Sequence, residues 1–371
     1  MESKNTIKLR IKDFLIALEY LFWLIFDFSK FKPIRKEKIK KVLFVHSGAI
    51  GELLVSTPAV KAVKEQLNAE VHYMVSPGKE NILAGNPNIS KTVTLGDFKH
   101  NFEVMKKEKY DLVIALWPGS LKVGFAAFLA GVRYRVGCFK MVSEGPAFFF
   151  TRRWWPLKLR KQHALQSNLD MIRLIGLDNK NPEIEFYYSK KDDEKAKKFL
   201  KENKIEKFAI IHPGFGGSGR DRAYSRYWPP EFYAKLIEYI IKNYKMQVVF
   251  TGIKEESEFI EQIIGEIDKK LRKKVHNSAG KFNLAELGAL ISKSKLLIAP
   301  DTSSVHIASA FNVKVIDFMS FSNDVQWHPY QKKENYRTFI HPYFSKGGAS
   351  KEKFNEKLID VKIAINELLR E

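Results

Sequence analysis

Short apolar runs recur along the chain, each ending in small or polar residues and leading into a helix-like stretch. KKVLFVHS leads through SGAIGELLVSTP into AVKAVKEQL, and AEVHYMVSP follows. A strand, a helix and a second strand in that order form a βαβ unit, which requires parallel strands. YDLVIALWP (Tyr110–Pro118) is another buried strand, VGFAAFLAGV a helix ending near Gly131, and YRVGC a further short strand. The pattern restarts after the polar stretch Ser189–Lys204. KFAIIHPG is a strand, PPEFYAKLIEYIIKNY an amphipathic helix, MQVVFTG a strand and EESEFIEQIIGEI a helix. NLAELGALISKS is a helix, KLLIAPDTS a strand and loop, SVHIASAF a helix and VKVIDFMS the last clear strand. Two α/β halves are therefore expected, with ligands at the carboxyl ends of their strands.

The chain has 371 residues, enough for two sizeable cores. Hydrophobic residues at 45% and charged residues at 28% describe a globular protein. The single cysteine, Cys138, excludes an internal disulfide and points to a reducing compartment. Lys and Arg number 63 against 42 Asp and Glu, a net charge of +21 that favours anionic partners. No zinc-finger, RRM or helix-turn-helix signature occurs, so nucleic acid is not expected among them.

Residues 1–40 stand apart. FLIALEYLFWLIFDF (Phe14–Phe28) is a 15-residue aromatic run holding Glu19 and Asp27, with basic flanks. A membrane span needs roughly 20 residues with few charges. The expectation is an amphipathic helix lying on an anionic membrane surface; packing on protein is the alternative. The domains expected are 1–40, this segment; 41–188 and 189–350, the two α/β halves; and 351–371, a C-terminal helix.

Three strand exits carry chemistry. In HSGAIGE, Gly48 and Gly51 allow close backbone approach, and Glu52 stands near a helix N-terminus, where the dipole stabilises an anion. By position alone Glu52 is either a helix-capping charge or a catalytic group. Thr57-Pro58 starts a helix, or a helix from Gly51 bends there. The second exit, HPGFGGSGRDRAYSRYWPPE, offers Gly214, Gly216 and three arginines, and arginine grips phosphate bidentately. GFGGSG matches GxGxxG by letter, but no helix opens at its third glycine and no acid ends the next strand. Arg226 is the phosphate candidate, because Trp228-Pro229 fixes the helix start beside it. In the third exit, APDTSSVH, Thr302 or Ser303 caps a helix whose N–H groups suit an anion, Ser304 included. Asp301 can accept hydrogen bonds from sugar hydroxyls, and His306 lies one turn in, facing much as Thr302 does. No Asp-x-Asp pair, no GxSxG elbow and no metal-ligand histidine spacing occurs.

SGAIGELLVSTPA, RYWPPEFYAKLI, AGKFNLAELGALISKSKLLIAPDT and PDTSSVHIASAFNVKVIDFMS together resemble glycosyltransferase family 9, the heptosyltransferases, over roughly residues 41–330. The resemblance implies a GT-B fold, two Rossmann-like domains facing an interdomain cleft. It implies inverting, metal-independent transfer from a nucleotide sugar, commonly ADP-heptose, with no cofactor. The acceptor it implies is a lipid-linked core saccharide at the cytoplasmic face of the inner membrane. Glu52, where the family usually has Asp, would be the general base. Arg226 and the N–H groups at Thr302, Ser303 and Ser304 would stabilise the leaving diphosphate, Asp301 would hold the donor sugar, and His306 would contact phosphate or orient the loop. The loop Phe215–Ser225 is longer than the family's and would cover the donor.

Overall fold

The computed structural model describes residues 33–116, 121–138, 149–154, 161–214, 228–319, 324–340 and 351–370. The expected N-terminal helix, Gly216, Arg226 and the loop Phe215–Ser225 lie outside them. The chain divides into two compact units: the first ends at Pro182, except that Ala84–Asn86 belongs with the second, which begins at Glu183.

The first unit is built on a six-stranded sheet in the order β3-β2-β1-β4-β5-β6. Its strands are β1 (Lys41–His46), β2 (Glu70–Val75), β3 (Lys91–Thr94), β4 (Leu112–Ala115), β5 (Tyr134–Cys138) and β6 (Arg152–Trp154), and all pairs are parallel. β1 and β4 are apolar without alternation because helices cover both faces. On one face, Leu43, Val45, Val113 and Ala115 pack under α3 (Phe98–Glu108) and α4 (Leu121–Leu129). α2 (Thr57–Leu67) and α5 (Ala164–Arg173) pack together, and α1 (Ile50–Leu54) is a short helix just after β1.

The second unit repeats the plan in the order β12-β11-β10-β7-β8-β9, again all parallel. The strands are β7 (Phe208–Ile211), β8 (Gln247–Phe250), β9 (Val275–Asn277), β10 (Leu296–Pro300), β11 (Lys314–Met319) and β12 (Tyr336–Ile340). Numbered within each unit, both sheets run 3-2-1-4-5-6, the order of a dinucleotide-binding Rossmann domain. One face packs on α7 (Pro230–Tyr244), α8 (Ser257–Glu266) and α12 (Lys351–Leu369), with Ile211, Val248, Phe250, Ile298, Ile316 and Phe318 in the layer. Trp228 stacks on Phe318 at 4.2 Å between centroids. α6 (Lys190–Glu202), α9 (Leu284–Ile291), α10 (Ser303–Ala310) and α11 (Asp324–Trp327) complete the unit. No described helix is long and apolar enough to cross a membrane.

Several expectations need correcting. The polar stretch Ser189–Lys204 holds α6, begun by a capping box in which Ser189 and Asp192 bond each other's backbone N–H. VKVIDFMS is not the last strand, because β12 follows. At residues 50–67 a helix does start at Thr57-Pro58, but a separate short helix precedes it: α1 ends at Leu54, Val55 and Ser56 turn, and α2 begins at Thr57, with Ser56 and not Thr57 at its N-cap. Thr57 is inside α2, and its hydroxyl donates back to Leu54 O at 2.7 Å.

Phe318 is buried against three aromatic rings of the α7 layer. Phe318→Ala is expected to cost about 3–5 kcal/mol, read as a lower midpoint in urea; an unchanged midpoint would refute this account of the second core.

Candidate active site

In an open parallel sheet, ligands bind where the crossovers diverge, at the carboxyl ends of the strands. That switch point falls between β1 and β4 in the first unit and between β7 and β10 in the second. The three loops singled out in the sequence are the exits of β1, β7 and β10.

At the β1 exit, Glu52 is in the first turn of α1. Its Oε2 accepts the Ala49 N–H at 2.5 Å, the reciprocal half of a capping box. Among the described residues, Oε1 accepts no hydrogen bond, so one oxygen is held and one is open. Burial raises the Glu52 pKa, while the Ala49 N–H and the Lys79 ammonium pull it back down. Two residues that the sequence did not single out build this loop. His46, the last residue of β1, is buried and accepts the Gly48 N–H on Nδ1 at 2.9 Å. Burial, helped by Lys79, lowers its pKa to about 3, so it is neutral with its proton on Nε2. Lys79 donates to Gly48 O at 2.5 Å from the loop after β2, and Ser76 donates to Ser47 O at 3.1 Å. A Cβ on Gly48 would lie 1.9 Å from Glu52 Oε2 and 2.4 Å from His46 Cε1, so only glycine lets these groups close in. Gly51 O accepts the Val55 N–H and closes the short helix. Below it, Tyr73 OH and Ser56 Oγ are 2.7 Å apart, Ser56 donates to Leu53 O at 2.6 Å, and Asn168 donates to Val55 O at 3.3 Å.

At the β7 exit, His212 Nδ1 lies 3.0 Å from Thr251 Oγ1. Burial lowers the His212 pKa against the opposing pull of Glu256. Glu256, also not anticipated, is buried; its Oε2 accepts the Ile253 N–H at 2.9 Å. A Cβ on Gly214 would sit 1.8 Å from Glu256 Oε1, which explains the glycine there.

At the β10 exit, Asp301 is half-buried and its N–H reaches Phe318 O at 3.3 Å. Thr302 takes the N-cap position of α10 in extended backbone but makes no side-chain cap. Its hydroxyl lies 2.7 Å from that of Ser304 instead. The first N–H groups of α10, at Ser303 and Ser304, are thus left without a side-chain cap, the arrangement that suits an anion. His306 does not share Thr302's outlook. It is only 2% exposed, edge-on to Trp327 at 6.4 Å, with Nδ1 making no hydrogen bond. Burial, with His328 nearby, lowers its pKa to about 4. The imidazole is thus neutral and enclosed, and it carries no charge toward a phosphate.

Asp317 was not anticipated either. It is 0% exposed on β11, in register with Ala299 and Thr338, and neither carboxylate oxygen has a hydrogen-bond partner. Burial, reinforced by the Asp301 charge, raises its pKa well above the usual aspartate range.

Two parallel-sheet Rossmann-like units with this strand order have the architecture of the GT-B fold. The chain matches the sequence profile of glycosyltransferase family 9 (heptosyltransferase) over residues 100–347 and belongs to that family. It is 24% identical over 318 residues to the lipopolysaccharide core heptosyltransferase OpsX of Haemophilus influenzae, covering 82% of this chain and 85% of the relative. Its structure is similar to that of a family 9 glycosyltransferase from Veillonella parvula, with a TM-score of 0.73, 17% identity, and 89% and 97% of the two chains covered. It is also similar to E. coli ADP-heptose lipopolysaccharide heptosyltransferase II, with a TM-score of 0.69, 16% identity, and 88% and 99% covered.

Two outcomes test this geometry. Gly48→Ala forces Glu52 off the Ala49 N–H and is expected to lower turnover roughly ten- to a hundredfold with the fold retained; wild-type turnover would show that the carboxylate position is unimportant. Because the Asp317 pKa is raised on folding, its share of stability is present below the ordinary aspartate range and lost as pH rises through the folded-state value. Asp317→Asn escapes that loss, so its urea midpoint should gain on wild type as pH rises; a gain that shrinks with pH would contradict the assignment.

Proposed function

We propose that this chain transfers a heptosyl group from ADP-heptose to a lipopolysaccharide core saccharide or related glycolipid, with inversion and without a metal ion. The observation that carries the reading is the Glu52 carboxylate, half-buried at the β1 exit with one oxygen tied and the other open. Family membership and the ADP-heptose in the name of the similar E. coli enzyme support the donor.

Glu52 takes the proton of an acceptor hydroxyl, and that oxygen attacks the anomeric carbon as the bond to the diphosphate breaks. General-base help of this kind contributes about 10²–10⁴-fold. Burial raises the Glu52 pKa, which strengthens the base without leaving it protonated wherever it still ionises below working pH. The N–H groups of Ser303 and Ser304, the Thr302 and Ser304 hydroxyls, and Arg226 stabilise the charge on the leaving diphosphate. Asp301 holds donor sugar hydroxyls. With no Asp-x-Asp pair in the sequence, these groups and not a metal clamp carry that role. The acceptor is lipid-linked, the basic aromatic segment Phe14–Phe28 and its flanks rest on an anionic membrane, and the protein works at the cytoplasmic face of the inner membrane.

The test is transfer from labelled ADP-heptose to a deep-truncated lipopolysaccharide in excess EDTA. Transfer with inverted anomeric configuration is expected, and Asp301→Asn should raise the donor KM roughly ten- to a hundredfold, the worth of a charged hydrogen bond. ADP binding without transfer from any nucleotide sugar would mark a binding protein instead.

A further inference from the structure

Among the described residues, the outer face of α4 lacks the cover that its composition calls for. Val123, Ala126 and Ala127 point into the first core, and Gly124 lies against Phe150. The opposite side is apolar too: Phe125 is 36% exposed, Phe128 49% and Leu129 49%. These residues stand at i, i+3 and i+4 and form one stripe, with exposed Lys122 one turn before Phe125. The stripe continues off the helix through Phe149, whose ring is 4.6 Å from Phe125 and 5.6 Å from Phe128, and through Phe98, 5.3 Å from Phe125. A contiguous aromatic patch of this kind marks an interaction surface.

Charge decides what fits it. Between Asp111 and Glu144 the sequence has no acidic residue and four basic ones, Lys122, Arg133, Arg135 and Lys140. The Arg135 guanidinium lies over the Phe128 ring at 5.4 Å and bonds the Val132 and Phe149 carbonyls. Arg133 and Lys122 are exposed and form no ion pair with a described residue. A protein partner would have to bring acidic groups to meet both Lys122 and Arg133, whereas an anionic phospholipid headgroup layer accepts aromatic and aliphatic side chains beneath a rim of cations and supplies the phosphates itself.

We propose that this face of α4 docks on an anionic phospholipid bilayer, with Phe125, Phe128 and Leu129 entering the headgroup region and Lys122 and Arg133 meeting lipid phosphates. This adds a second contact to the membrane association proposed for the N-terminal segment, and it rests on that reading only for its partner.

The experiment places an environment-sensitive fluorophore at Leu129→Cys in the full chain; the native thiol, Cys138, is buried. Vesicles containing phosphatidylglycerol should shift the emission to the blue, and phosphatidylcholine vesicles should not. The same label at Lys245→Cys, exposed in the second unit, should stay unchanged. Phe125→Ser/Phe128→Ser should weaken binding to the anionic vesicles by roughly tenfold or more in a chain whose circular dichroism shows it still folded. The proposal is overturned if the chain sediments with anionic vesicles while the Leu129→Cys label does not respond, an outcome that leaves the N-terminal contact standing. It is also overturned if the double variant binds vesicles as wild type does, or if it turns a dimer into a monomer without affecting vesicle binding, which would make the patch a self-association face.

Discussion

Parallel strand pairing is the constraint on which the rest depends. A parallel neighbour cannot be reached by a tight turn, so each connection crosses a sheet face, usually as a helix. Crossovers from β1 to β2 and from β1 past β3 to β4 leave in opposite directions, so the carboxyl end of β1 opens a crevice. β7, between β8 and β10, stands in the same position in the second unit. Buried strands fix their register through side-chain packing, which sets where each loop leaves the sheet, and local bonds then orient Glu52 and Asp301 at those exits.

At the β1 exit the proposed mechanism gives one carboxylate both a structural and a chemical role. Oε2 of Glu52 caps α1 through Ala49 N–H, which fixes its orientation, and the same burial that raises its pKa makes it a stronger base. The support is layered. Neutral His46 takes the Gly48 N–H, Lys79 takes the Gly48 carbonyl, and the absence of a side chain at 48 lets all three converge. Lys79 also pulls down the Glu52 pKa that burial pushes up.

Most of the fold was legible because the central strands are apolar runs with no alternation, and two covered faces demand that pattern. β3, β6, β9 and β12 were missed. They include both edges of both sheets, are three to five residues long, and are largely half-exposed, so they carry no continuous apolar signal. α6 stands in the sequence only as a polar stretch, because Ala196 alone of its residues is buried. The β1, β7 and β10 loops were legible as glycine and hydroxyl clusters behind strands, and Glu52 as the lone acid in the first. Lys79 and Glu256 were not, because each reaches its loop from a different strand exit and nothing local marks it. His306 was placed correctly on its helix but not in its environment, since helical spacing fixes direction relative to Thr302 only if both are helical, and Thr302 is not.

The central claim is that Glu52 acts on the acceptor proton and not on the donor. The direct measurement is Glu52→Gln, with ADP affinity by calorimetry beside kcat for heptosyl transfer. An amide keeps the shape and still accepts the Ala49 N–H through its oxygen, but it is not a base. ADP affinity should match wild type while kcat falls about 10²–10⁴-fold. A kcat close to wild type, or a loss of ADP affinity as large as the loss of turnover, would contradict the account.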